Sequence, residues 1–582
     1  MPDGSLIPTP APSDNVTLTI TIDGHALSSE YNVLSVTVIS GMNRIPQAKI
    51  AFLDGDPASQ EFRLSNTDYF VPGKRVRILA GYHSNESCIF EGIVVKHSIR
   101  SRQNGPSRLL VECRHDAFKL TLVRRSTYFH NMTDSDIFSR ILENNSLSAE
   151  IDATQLTHDQ MVQYFATDWD FIVSRAEVNG MHLLVDSAGM FIKKPDGSTP
   201  PVLTLTHGST MLEFEADIDA RDQIPSVTAR GWDCAQQEPA AHDGTVPVFR
   251  SPGNLTSDDL SQATGLNGFS LQHTGLRSGQ ELREWAEAQL GRSRLALVRG
   301  RVRFTGFADI HLGNTIELQG VGERFSGTGI VTAIRHEITG GLWTTDAQIG
   351  NSGRWFIEEK EVQSQPASGL LPAITGLQIG IVTGLAGDPQ GEERILVRMP
   401  LVSMADDGTW ARLASLDAGN ERGAIFRPEI GDEVVLGFLN DDPRDPVVLG
   451  MLNSSAKPAP VGASDDNHIK GFVTRSKIKL TFNDETASVT LETPKGKKVQ
   501  LDDDQGTITF ADELGNKLAL TSDGITIESA GNITIKSSGD LKFSGTNVQL
   551  QASGSLKAEG TGGAEIISSA ITVVKGSMVQ IN

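Results

Sequence analysis

Cysteine is nearly absent. Cys88, Cys113 and Cys234 are the only three in 582 residues, odd in number and widely spaced, which excludes a disulfide framework and offers no zinc-site spacing. Cys113 and His115 lie two apart in a strand-like run, so they share a face and read as a packed core pair. Aromatic residues are scarce, at 6%, while glycine is plentiful, at 57, a balance that suits many turns and repetitive β structure. No apolar run approaches the ~18–20 residues needed to cross a bilayer. The opening MPDGSLIPTPAPSDN has neither a charged leader nor an apolar core, so no signal peptide is expected. The chain is therefore expected to be synthesised in the cytoplasm and to leave it, if at all, by another route. Positive charge is also lacking: 51 Lys and Arg against 72 Asp and Glu give a net charge of −21. Nucleic-acid binding and stable membrane insertion are disfavoured on that ground, and the acidic balance mainly favours solubility.

A chain of this length exceeds one core, and several domains are expected. Residues 1–15 read as a flexible N-terminal arm and 16–360 as a β-rich region with a few helices. Runs such as LTITI, VLSVTVI, AKIAFL and KRVRILAGY are short, rich in branched residues and separated by turns. SDIFSRILEN, around Asp134–Asn144, predicts an amphipathic helix capped by Ser or Asp. DWDFIVSRAEVN predicts a second, with Trp169, Ile172, Val173 and Ala176 forming a core stripe. A third is expected over Ser278–Gly291. Residues 361–375, mixing Pro, Gly and small polar residues, read as a linker. Residues 376–455 hold five short strands, which suggests an OB-type barrel. A second linker, 456–469, leads to 470–582.

That last segment is periodic. Apolar pairs recur as Leu480/Phe482, Val489/Leu491, Val499/Leu501 and Ile508/Phe510. The period then tightens to eight, with Ile525/Ile527, Ile533/Ile535 and Leu541/Phe543. Each unit is apolar–polar–apolar, a strand with one buried face, and glycines such as Gly531, Gly539 and Gly545 stand at the corners. One chain cannot bury such short units alone. Three chains wound together can, each giving one strand in turn to every face. About twelve units stacked at roughly 4.8 Å make a rod of roughly 55–60 Å. The expected fold is mainly β with a few helices, ending in a triple-stranded intertwined β-helix in a homotrimer.

Three blocks together resemble the VgrG spike proteins of contractile injection systems, which are similar to fused hub and needle proteins of phage tails. The barrel carries the most specific match: Asp388-Pro389, Gly391, Arg394, Trp410, Pro428, Gly431-Asp432-Glu433, Asp442-Pro443 and Gly450. Their roles read as structural, with Trp410 and Phe438 filling a small core. The DWDFIVSRAEVNG helix, the ARGWD step at Ala229–Asp233 and ERFSGTGIVTAIRHEI at Glu323–Ile338 match the hub. KLTFNDE at Lys479–Glu485 matches the start of the needle. The resemblance implies a structural spike that caps the inner tube at the baseplate and punctures the target envelope, working in the extracellular space or target cell. It also implies a pseudo-sixfold ring from three hubs, and as partners an inner tube protein, baseplate proteins and a cone-shaped PAAR-repeat protein. Val579, Gln580, Ile581 and Asn582 are the expected partner-binding tip. About twenty residues separate barrel and needle, so no lysozyme domain is expected between them, and with the repeat running to Asn582 no fused effector is expected after it. His468 is the only histidine beyond His336, so the His-x-His iron pair of some phage spikes is not expected. Phage tail, type VI secretion tip and extracellular particle remain open, with the lack of an effector favouring the last.

No catalytic residue, cofactor or metal is expected. The competing reading is a trimeric tailspike enzyme degrading polysaccharide, which needs paired carboxylates in a groove. Asp502-Asp503-Asp504 is the only dense acidic cluster in the repeat, and it reads as a solvated corner.

Overall fold

The computed structural model describes residues 15–103, 105–245 and 251–581, and falls into two compact units. The first reaches to Ile374 and includes Asn440–Pro443. The second comprises Thr375–Leu439 and Arg444 onward.

The first unit is built on a thirteen-stranded sheet with two halves. In one half, Val33–Gly41, Arg44–Leu53, Gly105–Arg114, Asn85–Arg102, Arg75–Tyr82 and Thr17–Ile22 pair antiparallel in that order. Alternation sends Val36, Val38, Ile50, Phe52, Val76 and Ile78 into one core. In the other half, Gly327–Thr339, Leu342–Ile349, Val298–Thr305 and Met211–Ile218 follow one another, enclosing a second core around Val302, Phe304, Ile316 and Val331. The halves join where Gly327–Thr339 pairs antiparallel with Val33–Gly41. Cys113 is buried in the first core, whereas the His115 ring accepts the Ala117 N–H at 3.1 Å and starts a short 3-10 turn, so the two do not pack as a pair.

A third core is helical. Asp134–Asn144 begins at a capping box in which Thr133, rather than Ser or Asp, accepts the Asp136 N–H at 3.2 Å while Asp136 accepts the Thr133 N–H. Asp168–Val178 follows the cap Thr167, and Trp169, Ile172, Val173 and Ala176 are all buried. The helix expected to stop at Gly291 runs over Gly279–Leu295. Glycine's poor propensity is overridden by tertiary bonds on the last turn. Arg292 reaches Glu177 at 2.6 Å, Ser293 donates to the Asp222 carbonyl at 2.8 Å, and Arg294 donates to the Ile224 carbonyl at 2.8 Å. The helix packs on a three-stranded sheet of Val227–Asp233, Glu238–Asp243 and Phe269–His273.

The Arg292–Glu177 pair is a buried knot. Glu177 also accepts the Asn43 amide at 2.8 Å and the Phe356 N–H at 2.8 Å, and Arg292 donates to the Arg354 carbonyl at 2.7 Å beneath the Trp355 ring. It ties two helices to the segment following Ile349. Glu177→Gln leaves the guanidinium buried without its counter-charge, and a loss of about 3–5 kcal/mol is expected in urea unfolding of the first unit. A loss below about 0.5 kcal/mol for this variant, the scale of an ordinary surface change, contradicts this assignment.

The second unit opens with a closed barrel in the order Gln378–Gly384, Ile395–Arg398, Thr409–Leu413, Pro446–Met451, Glu433–Phe438. Val382, Ile395, Val397, Ala411, Val434, Leu436 and Val448 fill it. Phe438 packs at its margin, but Trp410 is not part of that core. Strand alternation points its neighbour Ala411 inward and leaves the indole half-buried on the other face. Asp388 organises one turn, receiving the Arg394 guanidinium at 2.6 Å and the Gln390 and Glu392 N–H groups at 3.1 and 2.8 Å. Arg394, ahead of these backbone donors, holds its carboxyl well below the usual carboxylate range.

Beyond the barrel, Ile469–Val473, Lys479–Asn483, Ser488–Glu492, Lys498–Asp502, Thr507–Ala511, Lys517–Thr521 and Gly524–Glu528 form a seven-stranded antiparallel meander. This corrects the expectation that every unit of the repeat is a three-residue strand passed from face to face. The units up to Glu528 are five-residue strands that pair with their own neighbours. Thr474, Thr493 and Asp512 donate to the carbonyls of Ile478, Lys497 and Asn516, closing equivalent turns nineteen residues apart. Turns of that size let the chain fold back on itself. From Ser529 to Ile581, where the spacing has fallen to eight, no strand forms within the chain.

Candidate functional site

From Leu480 to Ile527 the meander presents an apolar face, with Lys470 of the first strand at its margin, opposite Phe482. Register sets Leu480 opposite Leu491, Phe482 opposite Val489, Val499 opposite Phe510, Leu501 opposite Ile508, Phe510 opposite Leu518, and Leu520 opposite Ile525. The intervening residues, Thr481, Thr490, Gln500, Thr509, Ala519 and Thr526, form a column on the other face. Such alternation is the pattern of a sheet with one buried side. Yet Leu491 is 46% exposed, Leu501 49% and Phe510 46%. A hollow of about 670 Å³, lined by Leu491, Val499, Phe510, Leu518, Ile527 and Ile533, opens on this face. Contiguous exposed apolar surface of this kind marks an interaction site.

The octads continue the exposure. Ile535, Leu541, Phe543, Val548, Leu550, Ile571 and Val573 are all exposed. Of the four expected tip residues, Val579, Gln580 and Ile581 are exposed in an extended segment without strand pairing, and Asn582 lies outside the described residues. Asp502 ends the strand Lys498–Asp502 and Asp503-Asp504 fall in the turn that follows, where Asp502 accepts the Gln505 N–H at 2.9 Å.

The buried charges of the first unit are structural ties. Asp134, at 1% exposure, receives His158 at 3.1 Å, the Arg175 guanidinium at 2.8 Å and the Asn179 amide at 2.9 Å. Burial works against its ionised form, but those donors hold the carboxyl well below the usual range. All its oxygens are engaged by the protein's own side chains, and it lines no described cavity. Among the described residues, no group of three or more His, Cys, Asp or Glu side chains is placed to hold a metal ion, and no helix is long and apolar enough to cross a membrane.

Two family models match this architecture. Residues 12–340, more than half of the chain, match the Alg8 N-terminal domain, and residues 378–452 match the type VI secretion system/phage-baseplate injector OB domain. Among curated relatives, the type VI secretion system spike protein VgrG4b of Pseudomonas aeruginosa is 25% identical over 59% of this chain and 47% of its own length. VgrG1b of the same organism is 22% identical over 72% of this chain and 60% of its own. VgrG3 of Vibrio cholerae is 30% identical over 20% of this chain and 13% of its own. The chain thus spans at most 60% of the length of these relatives. Among solved structures, an E. coli component of the type VI secretion system, similar to the T4 tail proteins gp27 and gp5, aligns over 74% of this chain and 99% of its own. Its identity is 14% and its TM-score 0.38. A Francisella PdpA-VgrG complex aligns over 89% and 88%, at 9% identity and a TM-score of 0.38.

The family models and the curated relatives define the class. The chain belongs to the family of the Alg8 N-terminal domain and, with its injector OB domain, to the VgrG-type spike proteins of contractile injection systems.

Proposed function

We propose that this chain forms a homotrimeric central spike that caps the inner tube at the baseplate and is driven through a target envelope. One observation carries the reading: a sheet whose backbone is paired strand to strand leaves its whole apolar face open, and the octads beyond it find no strand partner in the chain. Three copies can turn those faces inward onto one axis. The octads, which form no strand within the chain, then pair between chains, so a three-sheeted base passes into an intertwined shaft. A rod with every backbone group paired resists bending and unfolding, as mechanical puncture requires. Two antiparallel halves in each first unit would offer six to the tube from three chains. No catalytic chemistry is part of this role.

At the far end, Val579–Asn582 would present three unpaired strand ends, which invite a partner; by family resemblance that partner is a PAAR-type cone protein. Pull-down with a separately expressed PAAR protein tests this. Full-length trimer is expected to retain it, and a variant lacking Ser577–Asn582 to lose it. Equal capture by both forms removes the tip assignment.

A further inference from the structure

The two long sides of the meander carry opposite charge. Its turns alternate between the sides, and because equivalent turns recur every nineteen residues they stack. One side gathers Arg475, Lys477, Lys495, Lys497 and Lys498, and the other Asp484, Glu485, Asp503, Asp504 and Asp523. Most of the minority charges are already occupied or local, and Glu528 on the basic side stands opposite Lys517 in register. Glu492 and Glu513 on the basic side pair with Lys479 and Lys497 at 3.8 and 2.5 Å, and Asp512 accepts the Leu514 and Asn516 N–H groups of its own turn. Lys470 on the acidic side binds Asp484. By contrast, Lys477, Lys495 and Lys498, like Glu485, Asp503 and Asp504, make no ion pair among the described residues. Basic and acidic turns also differ in height by one strand, roughly 4.8 Å, so two such sides interdigitate.

We infer that neighbouring copies in the spike meet basic side to acidic side, and that this contact selects a closed threefold arrangement. The inference rests on the trimeric reading. Three sheets with their apolar faces turned to one axis must join each left side to the next sheet's right side, a heterologous contact that closes after three copies. The opposite signs of the two sides suit that junction. A twofold pairing through either side would set like charges together, which costs free energy and slows encounter. The occupant of each charged side is therefore a second copy of this chain.

A charge-exchange experiment on the full chain tests this. Glu485→Lys, Asp503→Lys and Asp504→Lys together make both sides basic; Lys477→Glu, Lys495→Glu and Lys498→Glu together make both acidic. Among the described residues none of the six side chains bonds outside its own turn or strand, and circular dichroism checks that each copy's own fold is intact, including that of Lys498→Glu, which faces Glu492 across the sheet. In native mass spectrometry at low salt, each triple variant is expected to show on the order of tenfold less trimer after a fixed assembly time. The six-fold variant, with its sides exchanged, is expected to return to the wild-type yield. The deficit is expected to shrink at 0.5 M salt, where the Debye length is only about 4 Å. Trimer yields equal across all four proteins, or a six-fold variant no better than either triple, overturn the charged contact while leaving the trimer standing. A monomeric wild type overturns the trimeric reading itself.

Discussion

Ile508→Asp is expected to leave the chain monomeric, whereas Thr509→Asp, one residue further along the same strand, is expected to leave the trimer intact. The two positions carry the same new charge and differ only in the face they occupy. Ile508 sits on the apolar face, opposite Leu501 and Leu520, while Thr509 lies in the polar column opposite Gln500 and Ala519. In a lone chain Ile508 is already 37% exposed, so an aspartate there costs the isolated meander little. In the trimer three carboxylates would be brought together on the axis and stripped of water. Effective desolvation alone costs several kcal/mol per ion, and mutual repulsion adds to it. Binding driven by apolar area at about 25 cal/mol per Å² cannot absorb that loss at a central layer. Native mass spectrometry separates the outcomes directly. Trimer in both variants, or monomer in both, shows that the face does not decide assembly.

The apolar pairs were legible because strand alternation writes itself into sequence with period two. Leu480/Phe482 through Ile525/Ile527 all fall on the face assigned to them. What could not be read was whom each strand pairs with, since the side-chain pattern of a meander and of an interwound prism is the same. The difference shows in the pairing: up to Glu528 each strand returns to its own neighbour, through turns such as Thr474–Ile478, and from Ser529 to Ile581 no strand forms within the chain. The closed barrel was legible from five short apolar runs, but Trp410 was assigned inward by its size, whereas alternation within its strand gave that place to Ala411. In the first unit, helix ends depended on partners far away in sequence. Nothing local announces that Arg292 meets Glu177, or that Gly291 will be carried through a helix by the bonds of the residues after it. The opposed charges on the meander's two sides were invisible until the turns were sorted by side. Asp502-Asp503-Asp504 had read only as a solvated corner.

Acid is expected to unfold the first unit well before the rest of the chain. His336 is 5% exposed, with its Nδ1 3.0 Å from the Thr345 hydroxyl, and burial, helped by nearby His311, pushes its pKa down to about 4. His182 is 6% exposed, 3.3 Å from the Asn43 amide, and burial together with Arg292 pushes it down to about 3. Both start from 6.5. A depressed folded-state pKa means that the unfolded chain takes up these protons first. The stabilisation is therefore complete above about pH 6.5 and is lost as pH falls toward 4 and then 3. At pH 4.5 each group would have lost on the order of 2–3 kcal/mol, or about 5 kcal/mol together, against a typical domain stability of 5–15 kcal/mol. His311 works in the opposite sense, because its contact with Asp186 at 3.5 Å raises its pKa, and it offsets part of the loss on the acid side. The repeat after Lys470 contains no histidine. Calorimetry at pH 7.5 and 4.5 should thus resolve two behaviours: a first-unit transition that falls by roughly 6 °C, at about 1 °C or slightly more per kcal/mol for a unit of this size, and a spike transition that barely moves. Replacing His336 with glutamine, which keeps a hydrogen-bonding side chain but cannot take up the proton, should shrink the acid shift. A first-unit transition that holds its temperature at pH 4.5 would show that neither imidazole is kept neutral by its burial.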